Sequence, residues 1–438
     1  MLSLSQDHNP NYIAKIHVID NLHPHPNADR LQLTTIEGNN IVLGIDTKIG
    51  DMGIYFPLEC RISPLYLSAN NQFEPKELNA DNTKRGFFNK HGRVRACQLR
   101  GTKSEGYWAP IDTLITAFGK LPEAVDGTLF DTVYDEVLVS KYVPANQVSK
   151  RESTPKGKQP KKDSKIVDGQ FRFHNDTAQL GRNVHNVGSQ EYVVVTQKLH
   201  GTSAVFSHLV CKKPLTWKEK LAKRLGVAVQ ETYYDSLYSS RRVLKNGYVK
   251  DNNHYYGTDI WGTVNDEVLP FIRKGITLYG EIVGFINENK PIFAGYSYGC
   301  KPGEHAFYVY RITSTDPDGH VTEFTWEQVK DYCSQFGLKH VPELYKGKFC
   351  DLVTQHCLNQ TPMTAPWCWD TLDDNAIIEA LREKFHNKVL DTGVPDEGIC
   401  VRIERGMTQE TYKLKDFAFL KKESDDLDAE VVSIEDEN

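Results

Sequence analysis

No stretch of the 438-residue chain is apolar for long enough to cross a bilayer as a helix. The opening MLSLSQDHNPNY has neither the basic nor the apolar part of a secretory signal. These absences argue against secretion and against a membrane partner, and point to a cytoplasmic or nuclear protein, or one of a virus factory. The nine cysteines are odd in number and contain no CxxC pair, which argues against a disulfide framework and a zinc ribbon. Cys350, His356, Cys357 and Cys368 come nearest to a metal cluster, but their spacings fit no standard site, and free thiols are the better reading.

A basic excess is also missing, since the formal net charge is −6. Its distribution matters more than its sum. From Glu423 onward the chain carries Glu423, Asp425, Asp426, Asp428, Glu430, Glu435, Asp436 and Glu437 without a lysine or arginine. Without those eight acids the remainder is +2, so a mildly basic body is expected to end in an acidic disordered tail over 423–438. With 39% hydrophobic and 25% charged residues, the body has an ordinary globular composition, and its length suggests two or three domains.

What is present falls into segments. Residues 1–145 hold short strand-like runs, Ala14–Asp20, Leu31–Ile36, Asn40–Ile45 and Gly53–Phe56, separated by Gly, Asn, Asp and Pro as in a small antiparallel barrel. Residues 146–169 include QVSKRESTPKGKQPKKDSKIVDG, with almost nothing to bury, and read as a flexible linker. Residues 170–422 mix strands with helices and suggest an α+β domain on antiparallel sheets. Strands are expected at Tyr192–Gln197, Ile276–Phe285 and Ala306–Ile312, and helices at Leu215–Val229 and Asn375–Phe385, the latter capped by Asp373 or Asp374.

The chemistry starts at Lys198-Leu199-His200-Gly201-Thr202-Ser203, directly after a strand. A lysine that attacks phosphorus must be neutral, although its ordinary pKa is about 10.4. Burial beside other cations and a metal would lower that value. Glycine after the motif lets backbone approach a nucleotide closely. Further on come Ser239-Ser240-Arg241-Arg242, Gly280-Glu281 within an apolar strand, the aromatic run Phe307-Tyr308-Val309-Tyr310, Glu397-Gly398-Ile399-Cys400-Val401-Arg402, and Tyr412-Lys413-Leu414-Lys415. Lys413 and Lys415, two apart, share a strand face.

That ordered series resembles the covalent nucleotidyltransferase superfamily of ligases and capping enzymes, over about residues 170–420. Histidine at the third place of the lysine motif resembles the RNA ligases, where DNA ligases and capping enzymes usually have aspartate. The resemblance implies that Lys198 attacks the α-phosphorus of ATP to form lysyl-AMP and that Arg241 contacts ribose and later the RNA 5′-phosphate. It further implies that Glu281 binds ribose hydroxyls and can join the metal site, that Tyr310 stacks on adenine, and that Gln197 reads its amino group. Glu397 would hold Mg²⁺ or Mn²⁺, and Lys413 and Lys415 would grip the α-phosphate. His200 and Gly201 complete the ATP set, with the role of His200 undefined. The doubled arginine leaves Arg242 as an alternative to Arg241, or as a nucleic-acid contact. Each residue also has a structural reading: strand surface for the acids, core for Tyr310, edge protection for the lysines.

Two strings mark the amino-terminal half. His23-Pro24-His25-Pro26-Asn27-Ala28-Asp29-Arg30-Leu31 resembles the signature of tRNA-binding OB domains. Arg93-Val94-Arg95-Ala96-Cys97-Gln98-Leu99-Arg100-Gly101-Thr102-Lys103-Ser104-Glu105-Gly106 resembles the OB domain that precedes the catalytic domain in RNA ligases sealing duplex nicks. The resemblance implies an OB-fold barrel that binds RNA as a nicked duplex or RNA/DNA hybrid through Arg93, Arg95, Arg100 and Lys103, with no obligate protein partner. The same arginines could instead support the fold or its contact with the catalytic domain. Two stretches depart from the family pattern and read as insertions, packed decoration or nucleic-acid contacts: 211–235, with Trp217, Leu221 and Leu225 on one helical face, and 313–390. No carboxy-terminal OB domain is expected after Lys415, unlike capping enzymes and DNA ligases.

Overall fold

The computed structural model describes residues 1–143, 165–174, 176–246, 258–357, 372–406 and 408–429. Most of the linker and the end of the acidic tail lie outside the described residues, as do Cys368 and the side chains of His356 and Cys357. The seven cysteines whose side chains are described are free.

The amino-terminal segment is rich in strands because its apolar residues alternate between short turns. Leu31–Ile36 buries every second side chain and returns as Asn39–Gly44. The two-residue turn is Glu37-Gly38, with φ of 54° and 72°, the left-handed pair that matches strand twist. Gly106–Pro110, Met52–Pro57, Ala14–Val18 and Leu129–Phe130 form a four-stranded antiparallel sheet over Ile16, Ile54, Phe56 and Phe130. The barrel expected from sequence is not closed by hydrogen bonds. Among the described residues the strands fall into separate sheets of two to four strands.

The larger part is α+β on two antiparallel sheets, as expected. One runs Ala178–Gln179, Thr408–Lys415, Gly398–Arg405, Tyr192–Gln197, Glu343–Lys348; its first, short strand is parallel. The other runs Thr232–Ser239, Thr202–Lys212, Ile276–Asn287, His305–Thr315, Val321–Glu323. Tyr192–Gln197 is buried on both faces, which its unbroken apolar run required. One core gathers Val194, Phe206, Leu278, Val309 and Trp326. A second packs Ile378 and Leu381 of the helix Asp374–Phe385 against Val193, Val401 and Leu414.

The two stretches read as insertions have different fates. The described residues of 313–390 belong to the fold: Glu343–Lys348 completes a sheet, and the helix Trp326–Phe336 buries Trp326 and Val329. The helix Trp217–Arg224 forms with a Thr216/Glu219 capping box, but it packs on little, leaving Trp217, Leu221 and Leu225 at 71%, 50% and 73% exposure. The acidic run also differs from expectation. Its first residues continue the helix Phe417–Asp428, so Glu423 and Asp428 are ordered side chains with partners.

The two parts are docked on each other. Arg182 Nε donates to Glu37 at 2.7 Å, and its Nη atoms reach the Pro10 and Ile13 carbonyls. Arg382 Nη1 reaches the Gly38 carbonyl at 2.6 Å and Glu105 at 3.0 Å. Phe417 and Leu420 of the carboxy-terminal helix bury themselves against Ala96 and Leu58.

Candidate active site

Residues from both sheets and from several helices converge on a cavity of about 340 Å³. Lys198 leaves the end of Tyr192–Gln197, held by its backbone N–H on the Gly398 carbonyl at 2.9 Å. Its ammonium donates to Glu397, which is fully buried and sits behind the lysine rather than among the residues lining the cavity. Gly201 cannot be replaced without movement, since a Cβ there would lie 2.3 Å from the Ile282 carbonyl oxygen. The glycine is thus needed for the approach of two strands.

His200, undefined in role from sequence, is seated in an aromatic box. Its ring centroid lies 4.0 Å from Phe293, 4.6 Å from Tyr296 and 4.9 Å from Phe419, with Nδ1 3.7 Å from Glu397. Its backbone N–H donates to the Tyr298 hydroxyl at 2.8 Å. Packing therefore fixes the backbone that carries Lys198.

The remaining sequence candidates distribute clearly. Glu281, 9% exposed, lines the cavity from the centre of Ile276–Asn287. Tyr310 lines it from His305–Thr315, its hydroxyl 3.1 Å from His174 Nδ1 and 3.5 Å from Ser203 Oγ. Burial, then Arg241, pushes the His174 imidazole down to about 3, so it is neutral at ordinary pH. Gln197 lines the cavity and donates to Asp396 at 2.8 Å. Burial raises Asp396 to about 6 despite that bond.

Arg241 lines the cavity and Arg242, 53% exposed at its side chain, does not. Both pair with Asp176, Arg241 on Oδ1 and Arg242 on Oδ2 at 2.9 Å. Burial would raise Asp176, but Arg241 and Arg242 outweigh it and hold the carboxyl at about 2. Lys413 and Lys415, each 7% exposed, close the cavity from Thr408–Lys415. Burial, followed by the neighbouring Lys415, lowers Lys413 to about 8.

The structure separates the amino-terminal basic residues. Arg93 is 2% exposed, with Nη2 on the Ser424 carbonyl at 2.7 Å and on Asp428 at 2.9 Å. Arg95 shares Asp428 at 2.7 Å. As placed, these two grip the carboxy-terminal helix and do not form an open basic face for RNA. Lys103 lies over the Phe417 ring at 5.1 Å, and Arg100 is exposed in the turn between Cys97–Leu99 and Thr102–Ser104. The two amino-terminal sequence signatures touch: His25 Nε2 lies 3.0 Å from the Leu99 carbonyl, and Asn27 donates to that of Arg100.

Sequence reasoning missed His174, Asp176, Asp396, Glu59 and Glu423. All lie outside the recognised strings or beside them, and only Asp396, next to Glu397, carried a local signal. Asp316, Asp318 and His320 cluster closely enough for a cation but are exposed. The Asp316 carboxylate there accepts the N–H groups of Asp318 and His320, which is a turn.

Two antiparallel sheets that bring Lys198, Glu281, Lys413 and Lys415 around one cavity, with Glu397 buried behind Lys198, make a fold shared with solved ligases. A structure of the Naegleria gruberi RNA ligase, a lysine-to-methionine form with AMP and Mn, matches with a TM-score of 0.57 at 18% identity, over 93% of this chain and 98% of that one. Another form with ATP and Mn matches at 0.56 and 17% identity, over 97% and 100%. The same ligase with PPi matches at 0.54 and 18%, over 94% and 98%. No curated protein sequence matches the chain significantly. The model of the RNA ligase family matches residues 191–417, more than half of the chain. The protein belongs to the RNA ligase family.

Proposed function

We propose that this protein is an ATP-dependent RNA ligase that joins 3′-hydroxyl and 5′-phosphate RNA ends at nicks in duplex RNA or an RNA/DNA hybrid. The observation that carries this reading is the convergence of Lys198, Arg241, Glu281, Tyr310, Lys413 and Lys415 on one cavity, from residues up to 217 positions apart. The ATP, AMP and manganese of the similar Naegleria structures support it.

In this reading the Lys198 amine attacks the α-phosphorus, the P–N bond forms, pyrophosphate leaves, and the lysine gives up its proton. AMP then passes to the RNA 5′-phosphate, and the 3′-hydroxyl displaces it. Tyr310 offers a ring face to adenine, with its hydroxyl tied to neutral His174. Glu281 can accept hydrogen bonds from ribose hydroxyls. Lys413 and Lys415 face the charge that grows on the α-phosphate oxygens from buried positions. Arg241, already bound to a carboxylate, has the fork geometry to take a phosphate in its place.

Buried carboxylates at Glu397 and Glu281 suit a hard divalent cation. Mg²⁺ or Mn²⁺ held there would neutralise phosphate charge and take Glu397 from the lysine, favouring the neutral amine. For RNA, Arg100, exposed in its turn, and Arg242, whose partly exposed side chain also reaches Asp176, are the phosphate contacts, with the amino-terminal segment acting as an OB-type module beside the nick.

The test is incubation with α-labelled ATP and either metal, followed by denaturing electrophoresis. Label is expected on the wild type and absent from Lys198→Ala. A wild type that takes no label with any metal would overturn the reading. Sealing of a nicked duplex in preference to single-stranded RNA tests the substrate.

A further inference from the structure

Lys415 is held from both ends of the chain. Its Nζ lies 3.0 Å from Glu59, in the amino-terminal segment, and 3.1 Å from Glu423, on the carboxy-terminal helix. All three line the cavity that holds Lys198 and Lys413. Glu59 occupies the turn between Met52–Pro57 and Cys60–Ile62 at φ 63°, a left-handed conformation uncommon for a residue with a side chain. Its backbone is fixed on both sides: its N–H donates to Val94, and its carbonyl accepts from Tyr142. Glycine or asparagine would suit that turn better, so the glutamate is there for its carboxylate.

The same corner has an electrostatic problem to solve. Lys413 and Lys415 leave one strand two residues apart, both buried, with Lys198 and Arg241 close to Lys413. Unbalanced, such a group of cations would spread apart or lose protons. Arg93 lines the same cavity but is spent on Asp428. Glu59 and Glu423 are the acids placed against Lys415 itself.

We propose that Glu59 and Glu423 are positioning residues that hold the Lys415 ammonium at the phosphate wall, making the amino-terminal segment and the carboxy-terminal helix necessary parts of the nucleotide site. The role in catalysis rests on the ligase reading above; the clamp itself does not. A phosphate entering the cavity would find the Lys415 ammonium already held in place, with its rotamer freedom lost in advance. Phe419, whose ring lies 5.3 Å from the same ammonium and 4.9 Å from His200, links this clamp to the backbone beside Lys198.

The test is a double-mutant cycle on the single-turnover rate of lysyl-AMP formation, counted per active site. Glu59→Gln and Glu423→Gln should each slow the step by about tenfold, the scale of one charge-assisted hydrogen bond. In a Lys415→Met background the same changes should have no further effect. Slowing that multiplies with Lys415→Met would show a general structural role and overturn the proposal. A second measurement needs no nucleotide: acetylation of intact protein, read by mass spectrometry, should find Lys415 protected in the wild type and at least about fivefold more reactive in either glutamine variant. Equal reactivity in all three would refute the clamp. A wild type that fails to label with ATP, yet shows the protection, would overturn only the ligase reading.

Discussion

Replacing Arg93 with alanine separates two readings of one residue. From sequence, Arg93 belongs to a basic string that resembles a nucleic-acid-binding domain. In the structure its guanidinium is buried, bonded to Ser424 and Asp428, and lies 5.4 Å from the Tyr142 ring. Removing one partner of a fully buried ion pair costs about 3–5 kcal/mol. Asp428 remains 27% exposed and keeps Arg95, so solvent and the second arginine absorb part of that. A cost of about 2 kcal/mol follows, or about 4–8 °C in Tm for a cooperative unit of about 150–250 residues. Differential scanning calorimetry measures it, and limited proteolysis should cut the Phe417–Asp428 helix sooner in the variant. Arg93→Lys should recover part of the loss, because it restores charge without the fork. A phosphate contact predicts the opposite pattern: unchanged Tm, weaker RNA binding and a salt slope reduced by about one. That result would refute the assignment of Arg93 to the helix contact.

Other expectations follow from the same geometry. Asp176 titrates at about 2 in the folded chain against 3.8 ordinarily, so the unfolded state binds more protons between those values. Its contribution is present above about pH 4 and is lost as the pH falls toward 2; Asp176→Asn should show a shallower acid-unfolding curve over that window. Gly201→Ala should cut lysyl-AMP formation by at least about a hundredfold with Lys198 intact, because the new Cβ strikes a backbone carbonyl and must displace the lysine loop; normal labelling would show that the loop tolerates the shift. Tyr310→Phe should keep adenylylation within about threefold, since the ring remains, whereas Tyr310→Ala should lose more than about tenfold; equal loss in both would give the role to the hydroxyl. Changing Trp217, Leu221 and Leu225 together to serine should leave Tm within a degree or two, because exposed positions away from the core contribute little.

By itself the sequence pointed to several of the strands and helices and to Lys198. Period-two burial and unbroken β-branched runs set the strands, as at Leu31–Ile36 and Tyr192–Gln197, and Asp373 capped its helix at the expected place. It also carried the ordered motifs, because residues that must share a strand end or face stay close along the chain: Lys198 with Gly201, Lys413 with Lys415. What lay beyond it were pairings between distant segments. Arg93 is the best case, since an arginine reads the same whether it meets a phosphate or an aspartate 335 residues away. Glu59 and Glu423 gave no signal, because each becomes meaningful only where docking brings both to Lys415. Which of Arg241 and Arg242 lines the cavity likewise depends on where the strand Thr232–Ser239 ends. Local chemistry is written in local spacing; charge partnership across a domain contact is settled by packing, and only the tertiary structure could decide it.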